Sequence, residues 1–166
     1  SPIIEWYCSE ARLVNVASPI AVCSTCTNMS SSSRIVASID VGSNSIQLTI
    51  ARVSASSVET LRREKSNARL DNAIDASGQL SEPAVGDAVD IITHYVGLAR
   101  EHGAAVRMAG TAALRRAGNR QAFIDRVAAK CGAHVKVIDG LDEARLIRAG
   151  VLFGLPDLAT IPILCV

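Results

Sequence analysis

Two runs of apolar, largely β-branched residues, Ile35-Val36-Ala37-Ser38-Ile39 and Ile46-Gln47-Leu48-Thr49-Ile50-Ala51, flank the stretch Asp40-Val41-Gly42-Ser43-Asn44-Ser45. The pattern predicts strands over residues 35–41 and 46–53 joined by a tight turn. A third strand is expected over 58–64, after the turn-rich link Arg52-Val53-Ser54-Ala55-Ser56-Ser57. Three short strands in succession imply an antiparallel meander. Residues 66–80 are polar and turn-like, closing on Ser77-Gly78. Ser81-Glu82-Pro83 then opens a helix, with Ser81 as N-cap and proline in the first turn. Val85, Ala88, Ile92, Tyr95 and Ala99 recur at helical spacing, and Gly103 suits the C-terminal cap.

Residues 105–110 read as a short strand. Asn119 is placed to cap a second helix that carries Phe123, Val127 and Cys131 and stops at Gly132. Residues 134–138 read as another strand. A third helix begins near Leu141, sets Ala144, Ile147 and Val151 on one face, and ends at Gly154 before Pro156. Residues 161–166 begin a further apolar strand. The order is βββαβαβα(β), an α/β mixed sheet in which parallel strands are added to the meander by right-handed crossovers. Ligands of such sheets gather at the carboxyl ends of the strands. Residues 1–33 show no clear period and end in Ser30-Ser31-Ser32-Ser33, a linker-like composition. The expected division is an irregular extension over 1–33 and a folded lobe over 34–166, with Met29 a candidate natural start.

Composition narrows the reading. Of 166 residues 49% are apolar, enough for one globular core, and only 3% are aromatic, so aliphatic side chains must fill it. Seventeen Lys and Arg oppose 16 Asp and Glu, a net charge of +1, so the chain lacks the broad positive field of a nucleic-acid binder. Phosphate recognition, if present, must be local. Five cysteines, at positions 8, 23, 26, 131 and 165, are an odd and scattered set, which argues for a reducing compartment. Cys23-Ser-Thr-Cys26 has metal-like or redox-like spacing but no second pair nearby in sequence. No run reaches the roughly 18–20 apolar residues of a membrane span, and the expected location is cytoplasmic.

Three polar loops follow strands. The Asp40 loop has two readings. It is an ordinary turn by composition, or a phosphate-and-metal site: Gly42 allows backbone amides to approach an anion, Ser43 and Ser45 add hydroxyls, and Asp40 needs a divalent cation beside it. The second loop, Gly110-Thr111-Ala112-Ala113-Leu114-Arg115-Arg116-Ala117-Gly118-Asn119, carries Arg115, a surface arginine or a planar fork for phosphate oxygens. The third is Asp139-Gly140-Leu141-Asp142-Glu143-Ala144-Arg145. Asp142 and Glu143 suit the first turn of a helix on dipole grounds alone, and a carboxylate there could also serve as general base to a water. Adjacent helical positions point about 100° apart, so the two acids should not share one job. His94 and His102 read as structural or surface residues.

Taken together, Ile39-Asp40-Val41-Gly42-Ser43-Asn44-Ser45, the Gly110 to Asn119 segment and Val137-Ile138-Asp139-Gly140-Leu141-Asp142-Glu143-Ala144-Arg145-Leu146-Ile147 resemble the exopolyphosphatase and guanosine pentaphosphate phosphatase family. The likeness covers residues 35–155. It implies a ribonuclease-H-like lobe of the actin and sugar-kinase superfamily, and hydrolysis of a terminal phosphate from inorganic polyphosphate or guanosine pentaphosphate with Mg2+ or another divalent cation. Carried over residue by residue, Gly42, Ser43, Asn44 and Ser45 would contact phosphate and Asp40 would stand near the metal. Arg115 would bind the transferred phosphoryl group. Glu143 would be the catalytic glutamate that activates the attacking water, and a metal neighbour. A homodimer is implied for the full-length protein.

This sequence departs from the family at Arg116, where an acid or amide is usual, and at Asp142, where glutamate is common. Ala68-Arg69-Leu70-Asp71-Asn72-Ala73-Ile74 lacks the glycine usual after its Arg-Leu pair. The chain also ends at Cys165-Val166, before the family's second glycine-rich loop, so the partner lobe is expected to be missing and the piece inactive alone. Cys165 reads as a buried strand residue. The alternatives are a non-catalytic phosphate- or nucleotide-sensing module of the same fold, or a self-associating partner-binding fragment.

Overall fold

The computed structural model describes residues 33–54 and 57–154, the last four as backbone only. The readings for residues 1–32, for Cys8, Cys23, Cys26 and Cys165, and for the strand at 161–166 lie outside the described residues. Strands β1 (Arg34–Val41), β2 (Ile46–Val53) and β3 (Val58–Ser66) form the expected antiparallel meander. A 3-10 turn spans Leu70–Ala73, and helix α1 runs Glu82–Glu101. Then come β4 (Ala105–Gly110), a short helix α2 (Ala112–Arg116), α3 (Arg120–Cys131), β5 (Lys136–Val137) and α4 (Gly140–Gly154).

The sheet order is β3-β2-β1-β4-β5, with β4 parallel to β1 and β5 parallel to β4. Val41 pairs with Gly110 and Gly110 with Val137, so the loops leaving β1, β4 and β5 emerge side by side. That alignment positions the site.

One face of the sheet is apolar. Ala37, Ile39 and Val41 of β1 and Ile46, Leu48 and Ile50 of β2 are buried, while Ser38, Asp40 and Gln47 between them are exposed. This is the period-two signature of a sheet covered on one side. Helix α1 lays Val85, Ala88, Val89, Ile92, Tyr95, Val96 and Ala99 on that face, and α3 adds Phe123, Val127 and Cys131. The Tyr95 hydroxyl, carried into the core by its ring, shares a 2.8 Å hydrogen bond with Ser66 Oγ at the end of β3. β3 is the sheet edge, and its Glu59, Arg62, Arg63, Glu64 and Lys65 supply the charges that discourage pairing with other chains.

Three local expectations are corrected. Residues 112–116, read as loop, form α2. The strand expected over 134–138 pairs only through Lys136 and Val137, against Ala109 and Gly110 at the end of β4. Asn119 precedes α3 but makes no capping bond; its amide instead accepts from Leu80 N–H and donates to Leu80 O, both at 2.9 Å.

Candidate active site

The first wall of the site is the Asp40 loop. Gly42 N–H donates to Ser45 O at 3.1 Å, which folds the loop into a tight turn. A β-carbon on Gly42 would sit 3.0 Å from that same oxygen, so a larger residue would crowd the turn. The carbonyls of Ser43 and Asn44 face the other way, accepting from Asp71 N–H at 3.0 Å and Arg69 N–H at 2.9 Å. With the carbonyls held, the N–H groups of Ser43, Asn44 and Ser45 make no backbone hydrogen bond among the described residues. Successive unpartnered amides of this kind form an anion-binding concavity. Ser45 is nearly buried at 9% exposure, while Asn44 is exposed.

The second wall leaves β4. Thr111 N–H donates to Val41 O at 3.2 Å, tying the start of α2 to the end of β1. Gly110 packs so closely that an added β-carbon would lie 2.5 Å from Leu114 Cδ1, and Leu114 is fully buried. One turn later α2 presents Arg115. Its Nη1 donates to Ile138 O at 2.9 Å and to Glu143 Oε2 at 2.8 Å. No partner within the described residues engages the rest of the guanidinium, which leaves donors for a ligand.

The third wall leaves β5. Asp139 Oδ1 accepts from Asp142 N–H at 2.7 Å, capping α4 and fixing the first turn on which Glu143 rides. Ile138 N–H donates to Gly110 O at 3.0 Å, so this loop is bonded directly to the β4 exit. Asp142 is 8% exposed and pairs with Arg145 Nη1 at 3.2 Å, whereas Glu143 pairs with Arg115. The two neighbouring acids thus do different things, as helix geometry requires.

The electrostatics connect the walls. Partial desolvation at the mouth of the strands, where Asp40 keeps an exposed side, and then the negative charge of Glu143, push its carboxyl above the ordinary value of 3.8. A carboxyl whose charge is disfavoured by a neighbouring carboxylate is a natural place for a cation. Among the described residues no cluster of three or more metal-ligating side chains exists. Two carboxylates nevertheless suit magnesium, which keeps most of its waters and takes further oxygens from substrate phosphates. The residues present therefore fit such an ion.

Asp40, the Gly42 to Ser45 loop, Arg115 and Glu143 all lie at the carboxyl edge formed by β1, β4 and β5. The sequence reading missed the supports: Asp139 as cap, the Ile138 carbonyl under Arg115, and the amides of Arg69 and Asp71 behind the loop. Asp139 was signalled by an acid three residues later, the spacing of a capping box. The backbone supports carry no sequence signature.

An amide-lined turn, an arginine fork and a partnered glutamate thus stand together at one edge of an α/β mixed sheet. The chain belongs to the Ppx/GppA phosphatase family, whose pattern matches residues 49–164 and begins just after the Asp40 loop. It is 38% identical over 120 residues to the guanosine-5'-triphosphate,3'-diphosphate pyrophosphatase of Photobacterium profundum, an alignment spanning 72% of this chain and 24% of that protein. The crystal structure of the Ppx/GppA family member from Aquifex aeolicus matches with TM-score 0.71 and 29% identity, over 75% of this chain and 41% of the other. An exopolyphosphatase from Cytophaga hutchinsonii matches with TM-score 0.65 and 32% identity, over 68% of this chain and 36% of the other. The chain thus spans well under half the length of these relatives.

Proposed function

We propose that this chain is the N-terminal part of a phosphohydrolase that removes the terminal phosphate of inorganic polyphosphate or guanosine pentaphosphate by attack of water. The observation that carries the reading is the 2.8 Å contact between Arg115 Nη1 and Glu143 Oε2, which joins the second and third walls beside Asp40.

Each residue then has a task. The N–H groups of Ser43, Asn44 and Ser45 and the hydroxyls of Ser43 and Ser45 hold phosphate oxygens. The unpaired side of the Arg115 fork faces the transferring group, where charge spreads over the equatorial oxygens. Glu143 Oε2 is fixed by Arg115, which leaves Oε1 to orient a water and take its proton. Asp40 and Glu143 would hold the divalent cation, whose charge neutralises the phosphate oxygens when bound. Residues of the relatives beyond the matched portion are read as the opposite wall, so residues 1–166 alone should not turn over.

The test is phosphate release by the full-length protein, with Mg2+, from both substrates. The proposal predicts release from at least one and its abolition in Glu143→Ala with retained phosphate binding. Wild-type turnover in that variant rejects the base assignment.

A further inference from the structure

The segment behind the phosphate loop is braced from the side by a second arginine. Asp71 stands at the start of the 3-10 turn, where its backbone N–H donates to Ser43 O at 3.0 Å. Its side chain forms an ion pair with Arg116, the last residue of α2. Asp71 Oδ1 is buried and accepts no hydrogen bond among the described residues, so the Arg116 guanidinium beside it is what meets its charge. Arg115 and Arg116 therefore diverge from one short helix. Arg115 reaches forward to Glu143, and Arg116 reaches sideways to the turn that grips the loop.

Two further contacts stitch the same corner. Gly118 N–H donates to Gly78 O at 2.8 Å, and Asn119 clasps the backbone of Leu80. The 67–81 connection is thus docked on the α2–α3 junction at three points, and the ion pair is the one next to the loop.

We propose that Asp71 and Arg116 are positioning residues. Their ion pair sets the 3-10 turn, and through the Asp71 and Arg69 amides it sets the height of the Ser43 to Ser45 loop relative to Arg115. The inference rests on the phosphate-loop reading above. Arg116 acts here through Asp71 and makes no substrate contact. The pair is partly open, with side chains 58% and 37% exposed, so its effect is modest.

The test compares Asp71→Asn, Arg116→Gln, the double variant and Arg116→Lys in the full-length protein. Each single neutralisation should raise KM for the phosphate substrate by about two- to fivefold, the size expected of a partly exposed ion pair. kcat should stay within about twofold, since Arg115 and Glu143 are untouched. The double variant should be no worse than the worse single, and Arg116→Lys should restore most of the loss. Amide exchange supplies a readout independent of turnover: protection of the Arg69 and Asp71 N–H groups should fall in both neutralised variants. KM changes of opposite sign in Asp71→Asn and Arg116→Gln would overturn the proposal, because they would make Arg116 a substrate contact that Asp71 restrains. Additive losses, or unchanged amide protection, would overturn it as well. If the wild type releases phosphate from neither substrate, the functional reading fails, and amide exchange alone decides the brace.

Discussion

Arg115 Nη1 is engaged twice within the protein, by Ile138 O and by Glu143, and both partners sit on the loop leaving β5. The arginine is thereby pre-set, with its remaining donors turned outward. Lysine could carry the charge but could not bond a carbonyl, a carboxylate and a phosphate in one plane. Arg115→Lys should therefore cost activity nearly as much as removal, read as kcat in phosphate release. Glu143→Gln keeps the shape and removes the base, so kcat should fall by about 10²–10⁴-fold while substrate binding persists. Asp40 offers a pH test. Its carboxyl is raised by burial and by Glu143, so the fold favours the protonated form. That stabilisation is present below the ordinary value of 3.8 and is lost as pH rises through the raised one. Without cation, Asp40→Asn should thus raise Tm at neutral pH and have little effect in acid, which melting curves at several pH values will check. In Glu143→Gln the Asp40 titration, followed by carboxyl NMR, should move downward.

At the scale of elements, the meander, α1 and α3 were legible because long periodic patterns survive into the fold. All five apolar positions read for α1 are buried. The strand register brings the loops that carry Asp40, Arg115 and Glu143 to one edge. What escaped was short or carried by backbone. Five residues of α2 do not complete two turns, so periodicity has nothing to repeat. The 3-10 turn is entered through Arg69 in a left-handed conformation, φ 47°, which glycine or asparagine would ordinarily have announced. Asn119 illustrates a cap signal used for another purpose, since a tertiary partner captured both ends of its amide. Asn119→Ala should lower stability by about 1–3 kcal/mol, two modest hydrogen bonds, measured by chemical denaturation. Gly110→Ala should be worse for function than for folding. The β-carbon collides with buried Leu114, one residue before Arg115, so activity should fall along with a stability loss of about 1–3 kcal/mol.

Across the molecule, one sheet face is sealed by α1 and α3, and the strand ends carry the chemistry. No helix among the described residues is long and apolar enough to cross a membrane. The net charge of +1 leaves any phosphate recognition to local geometry, and what that geometry offers is the loop amides, the Arg115 fork and the Asp40 and Glu143 carboxylates. Family membership agrees with a fold in which the loop after β1, the loop after β4 and the start of α4 converge. The most direct test of the account is phosphate release by the full-length protein from polyphosphate and from guanosine pentaphosphate, comparing wild type with Glu143→Gln. The account predicts turnover of at least one substrate by the wild type and its near-complete loss in the variant, with phosphate still bound. Release at the wild-type rate after loss of the Glu143 carboxylate, or none from either substrate by the wild type, would contradict it.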